Sequence, residues 1–136
     1  MKTFRISRAL AVALIGIAML GSSSIARADI KDYEFRLVDP TVGVGKDKII
    51  TVRLVNKTTD KAVPDAVIFA TRLDMAPEGM PEMATKVVPE PGNAEPGNYR
   101  FKAALGMEGK WQLSLGAKVQ GETGTVESKL IVTAQK

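Results

Sequence analysis

Apolar and polar side chains alternate along most of this chain, and no window after the first 28 residues cycles at helical period. The segment Lys48–Val55 sets Ile50, Val52 and Leu54 on one side, with Thr51 and Arg53 on the other. Val67–Met75 sets Val67, Phe69, Thr71, Leu73 and Met75 against Ile68, Ala70, Arg72 and Asp74. Tyr99–Leu105 opposes Tyr99, Phe101, Ala103 and Leu105 to Arg100, Lys102 and Ala104. Trp111–Val119 opposes Trp111, Leu113, Leu115, Ala117 and Val119 to Gln112, Ser114 and Lys118. Successive side chains of a strand point to opposite faces, so this period of two predicts half-buried strands. Asp32–Val38, Ala84–Val88 and Val126–Thr133 complete a predicted set of about seven.

Turn residues fall between these segments. Asp39-Pro40, Gly43 and Gly45 break the first connection, Pro64-Asp65 the second, and Pro77, Gly79 and Pro81 the third. Glu90-Pro91-Gly92-Asn93 returns as Glu95-Pro96-Gly97-Asn98. Pro-Gly suits a type II turn, where proline fixes φ and glycine supplies the positive φ, so the echo reads as paired turns. Seven short strands with turns at close intervals predict an all-β, immunoglobulin-like antiparallel β-sandwich, with an open β-barrel as the alternative.

The first 28 residues stand apart. Lys2, Arg5 and Arg8 precede a 13-residue apolar run, Ala9–Gly21, and Ala26-Arg27-Ala28 offers a small-residue cleavage site before Asp29. This is the pattern of a secretory signal peptide, with cleavage expected after Ala28. The run is shorter than the roughly 20 residues that span a bilayer; retention as an anchor is the rival reading. No cysteine follows it, so no lipid anchor is expected. The expected organisation is a signal peptide at 1–28 and one β-sandwich domain at 29–136, in the periplasm or secreted.

Removing the leader also removes the basic character of the chain. Its net charge of +4 comes from Lys2, Arg5, Arg8 and Arg27, which leaves 15 basic and 15 acidic residues in 29–136. Overall charge therefore gives no support for binding nucleic acid or a membrane. Without cysteine there are no disulfides, and stability must come from the core.

Chemistry is sparse. Residues 29–136 contain no histidine or cysteine, so nucleophile–base catalysis and zinc sites of the usual kind are excluded and no enzyme is expected. Gly43-Val44-Gly45-Lys46-Asp47 lacks the first glycine and the hydroxyl of a phosphate loop. Asn56-Lys57-Thr58 fits a glycosylation sequon. What remains is sulfur. Met75, Met80 and Met83 occupy one stretch and Met107 another, and thioethers are the only soft donors available. Such donors favour Cu(I) among common biological metals. Methionine also packs irregular core gaps and contacts aromatic rings, so packing is the other reading of the same residues. Trp111 reads first as a core tryptophan and second as an aromatic face beside the sulfurs.

Strand direction brings the two stretches to one end. If Val67–Met75 runs up, Ala84–Val88 runs down and Tyr99–Leu105 up, so residues 76–83 and 106–110 share a rim. Pro77 and Pro81 stiffen the first of these connections, which lowers the entropy lost in ordering it around a ligand. Glu78, Glu82 and Glu108 join the same rim and read as solvated surface.

The run Met75…Gly79-Met80-Pro81-Glu82-Met83, then Gly97-Asn98-Tyr99, then Met107-Glu108-Gly109-Lys110-Trp111, resembles the YtkA-like/FixH-like family of exported domains. The resemblance implies a small β-sandwich outside the cytoplasmic membrane. It also implies a role in copper or heavy-metal efflux, or in copper delivery to oxidases, with a membrane-bound efflux or oxidase-assembly protein as partner. The chain departs from that pattern in lacking histidine, and in a leader read as cleaved where FixH-type proteins keep theirs. Coordination of Cu(I) would then rest on Met75, Met80, Met83 and Met107, with Trp111. The alternative is a scaffold whose methionine-rich rim docks a protein partner.

Overall fold

The computed structural model describes residues 30–92 and 95–136. The expected signal peptide and its cleavage site lie outside them. Among the described residues no helix is long and apolar enough to cross a membrane.

Among the described residues, ten strands form two five-stranded sheets packed face to face, so the sandwich is the fold and the open barrel is not. They are β1 (Tyr33–Leu37), β2 (Thr41–Gly43), β3 (Gly45–Asn56), β4 (Lys61–Ala62), β5 (Val67–Met75), β6 (Met80–Thr85), β7 (Val87–Pro89), β8 (Asn98–Leu105), β9 (Gly109–Lys118) and β10 (Val126–Gln135). The first sheet has the order β1-β3-β8-β7, with β4 also paired to β3. The second has the order β2-β10-β9-β5-β6. All pairs are antiparallel except β2 with β10, which run parallel.

The count of ten corrects the expected seven: two of the three additions arise where the chain changes sheets, and the third, β4, is a two-residue return against the end of β3. Residues read as the first connection contain β2, because the chain leaves β1 at Asp39-Pro40 and continues against β10 in the other sheet. The Val44 N–H donates to the Gln135 carbonyl and the Thr133 N–H to that of Pro40, closing this seam. The segment read as one strand at Ala84–Val88 is divided at Lys86 between β6 and β7, which belong to different sheets. Alternation reports which side chains are buried, and it carries no mark of the sheet to which a segment is hydrogen-bonded.

The core follows the predicted pattern on three strands. Ile50, Val52 and Leu54 of β3, Phe101, Ala103 and Leu105 of β8, and Trp111, Leu113, Leu115 and Ala117 of β9 are buried between the sheets. On β5 the pattern breaks. Val67 and Phe69, both expected inside, are 58% and 56% exposed, while Leu73 and Met75 are buried. A β-bulge between Ile68 and Ala70 inserts Phe69 as an extra residue opposite β9, which reverses the facing of everything before it. The Phe69 ring then lies over Gly116, where a side chain would meet it at 3.2 Å.

Strand directions fix the two ends. β8 passes to β9 through Gly106–Glu108, and β5 is antiparallel to β9, so β5 ends where β9 begins. The turn after β5 and the β8–β9 connection share one end. The starts of β1, β5 and β8 lie at the other.

At that far end the Tyr99 O–H donates to the Val63 carbonyl at 2.7 Å, and the Ala66 N–H donates to the Tyr99 oxygen at 3.0 Å. The second Pro-Gly echo closes as expected: Asn98 N–H donates to the Glu95 carbonyl across Gly97, whose φ is +91°. The first copy runs into Asn93, outside the described residues.

Candidate functional site

β5 ends in a short 3-10 turn, Ala76–Glu78, started by Pro77 and stopped by Gly79 at φ +78°. Asp74 shapes its start. The Asp74 carboxylate is buried, accepts the Ala76 N–H at 2.9 Å and pairs with Arg72 Nε at 2.6 Å. Arg72 also donates to the Pro81 carbonyl at 2.9 Å, tying the chain on both sides of the turn together. The turn sends β6 back along β5 so that Met80 stands directly opposite Met75. Residues paired in this way hold their side chains on one face, with Cβ atoms about 5 Å apart.

Met75 faces the core and is 1% exposed, and Met80 is half-buried and packs against the same core. The two sulfur-bearing side chains therefore cap one end of the hydrophobic interior together. Met83 lies beyond the register shift between Asp74 and Met75 and is 40% exposed.

The connection from β8 to β9, which carries the chain from the first sheet to the second, docks on this turn. Lys110 N–H donates to Glu78 Oε2 at 2.8 Å. Gly109, at φ +135°, lets the backbone pass beside the turn: a Cβ there would meet Met75 Cε and Glu78 Oε2, each at 3.0 Å. Trp111 is buried, and its indole N–H donates to the Met107 carbonyl at 3.2 Å, tying the β8–β9 connection to the start of β9. Met107 is 41% exposed.

Of the five candidate residues, Met75, Met80 and Trp111 thus belong to the closed end of the core, and Met83 and Met107 project from it. The rim inferred from strand direction brings the two methionine stretches into contact through Glu78 and Gly109.

Glu78 itself went unrecognised in the sequence, where it read as solvated surface; its carboxylate joins the two methionine-bearing segments. The signal available was its place at the end of a proline-started turn, with free backbone donors expected on the facing β8–β9 connection. Glu108 lies 3.9 Å from Lys136 Nζ. Among the described residues no three acidic, histidine or cysteine side chains gather as a hard-metal site would require. The glycines once compared with a phosphate loop belong to β2 and the start of β3, under the Lys48 side chain.

A hollow of about 450 Å³ lies elsewhere, on the outer face of the second sheet beside Phe69, Arg72, Ser114, Gly116 and Lys129. It adjoins no methionine.

Among solved structures, the chain is similar to the filamin domain of Lin-41, at 16% identity and a TM-score of 0.44, covering 80% of this chain and 95% of that one. It is also similar to the C-terminal domain of ZirS, at 10% identity and a TM-score of 0.45, covering 97% of this chain and 86% of that one. No curated protein matches it. The YtkA-like family model matches residues 27–116, more than half of the chain. That span takes in the proline-started turn, the Gly97-Asn98-Tyr99 strand opening and the β8–β9 connection that docks on Glu78, and on it the chain belongs to the YtkA-like family.

Proposed function

We propose that this protein is an exported, non-enzymatic metal-handling module that binds Cu(I) through methionine thioethers, in copper or heavy-metal efflux or in copper delivery to an oxidase. The observation that carries this reading is the direct opposition of Met75 and Met80 across β5 and β6, beside the β8–β9 connection that bears Met107. Two thioethers fixed on one face, with Met83 and Met107 within the same rim, form a donor set suited to a soft monovalent ion and poorly suited to hard divalent ones. Half-burial of Met80 lowers water access while leaving a path for the ion. Copper is the cargo here, and a membrane-bound efflux or oxidase-assembly protein is the partner that would give or receive it.

The test is competition with a chromophoric Cu(I) chelator under reducing, anaerobic conditions. Met80→Leu with Met83→Leu nearly conserves volume, so the fold should persist while copper competition is lost. Retained competition in the double variant would exclude the sulfur site. The exposure of both Met83 and Met107 favours one second reading, in which the rim docks a protein partner through adaptable methionine side chains. That reading gains if the parent chain takes no copper.

A further inference from the structure

Charges balance over residues 29–136, but the fold does not spread them evenly. β1, β3 and β8 are neighbours in the first sheet, and their inner face is filled by Phe35, Ile50, Val52, Leu54, Phe101 and Ala103. Alternation turns Arg36, Arg53, Arg100 and Lys102 outward. Arg36 stands directly opposite Arg53, Arg53 opposite Asn98, and Thr51 opposite Arg100. The four cations run as a diagonal stripe over three strands. Directly opposed Cβ atoms are about 5 Å apart, and diagonal neighbours about 7–8 Å.

Like charges placed opposite each other destabilise a sheet. The ends of the stripe are relieved: Arg36 pairs with Glu34, and Lys102 Nζ lies 3.4 Å from Glu90. Its middle is not. Arg53 donates to the neutral Asn98 Oδ1 at 3.1 Å, and neither Arg53 nor Arg100 has an ion-pair partner among the described residues. Two guanidinium groups on the outer face thus have no carboxylate opposite them, and their planar forks match carboxylates two N–H groups at a time.

We propose that the outer face of β1, β3 and β8 docks an extended acidic segment of a partner polypeptide, its carboxylates engaging Arg53 and Arg100. Alternate residues of an extended chain lie about 6.6 Å apart, which is commensurate with the steps of the stripe. A lipid surface fits it less well. The exposed Val67, Phe69, Met83, Met107 and Ile131 lie off this face, and only Val38, just past β1, borders it. Basic clusters that hold anionic lipid use about four to eight cations, and two of the four here are already paired. The surface is separate from the methionine rim, and the inference does not rest on copper binding.

The test uses the purified protein and a fluorescent peptide with glutamate at alternate positions, followed by anisotropy at low and at physiological salt. Saturable binding that weakens with salt is expected, with a loss of about tenfold or more in Arg53→Gln/Arg100→Gln. Lys57→Gln/Lys61→Gln, which removes two cations from the β3–β4 hairpin, should bind as the parent does. Arg53→Lys/Arg100→Lys keeps the charge without the forks and should fall between. It also serves if the glutamine variant unfolds. No binding by the parent, or equal loss in both glutamine variants, overturns the proposal. So does tighter binding to phosphatidylglycerol vesicles than to the peptide, which would assign the stripe to lipid.

Discussion

The two ends of the sandwich are built on different terms. At the far end, contacts are made by backbone and by short, stiff groups. Gly97 passes so close to Ala62 that a Cβ would sit 2.4 Å from that alanine's Cβ, and one tyrosine hydroxyl serves both Val63 and Ala66. Tyr33 donates to Glu122 at 2.9 Å across the same end. At the methionine end, the joint between the turn and the β8–β9 connection is made by side-chain ends, Glu78 Oε2 and Met75 Cε. One end fixes the register of the sheets. The other is joined through side-chain ends, one of them rooted in the core.

Substitutions can break or sharpen that contrast. The largest effect is expected from Gly97→Ala, which puts a methyl group into Ala62 at a backbone angle that alanine resists. It should cost about 3 kcal/mol or more, a fall in Tm of roughly 12 °C or more by thermal unfolding. Tyr99→Phe should follow at about 1–3 kcal/mol, because the Ala66 donor and Val63 acceptor both lose a partner.

Burial raises the Tyr99 phenol above its ordinary pKa of 10, and that of Tyr33 is raised as well. The folded chain therefore keeps these protons where the unfolded chain has released them. Their contribution is complete below about pH 10 and declines as pH rises beyond it, so denaturant midpoints should fall above pH 10, and fall less in Tyr99→Phe.

Gly109→Ala is the counterpart at the methionine end. There the added methyl meets only side-chain ends, at 3.0 Å, and a loss of about 1–2 kcal/mol is expected, mostly from its positive φ. A loss as large as that of Gly97→Ala would show the two ends to be equally rigid. Smallest of all, Met80→Leu/Met83→Leu should shift stability by about 1 kcal/mol or less, whatever it does to copper.

Much of this architecture could be read from alternation, because burial on β3, β8 and β9 is strict and each strand there is long. The class of fold, the tryptophan in the core and the meeting of the two methionine stretches at one rim all follow from side-chain period and strand direction. Phe69 is where that reasoning failed. A bulge adds a residue without leaving a mark in the hydrophobic pattern, and the apolar ring that seemed to belong inside lies outside over Gly116. The division of Ala84–Val88 was equally invisible, since a chain crossing between sheets keeps its alternation.

At the rim, positions were legible and partners were not. Met75 could be placed in the core because it ends a buried row. The bond from Lys110 to Glu78 joins residues 32 apart in sequence, and no local pattern announces such a pair.

The parallel pairing of β2 with β10 has a mechanical consequence. β1 starts at the far end and β10 finishes at the methionine end, so a pull applied between Tyr33 and Gln135 runs along the strands. The bonds from Val44 to Gln135 and from Thr133 to Pro40 then lie across the line of force and share the load, instead of opening one after another. Under such tension the seam resists by shear, and a tether attached ahead of β1 would leave the methionines on the side facing away from the attachment point.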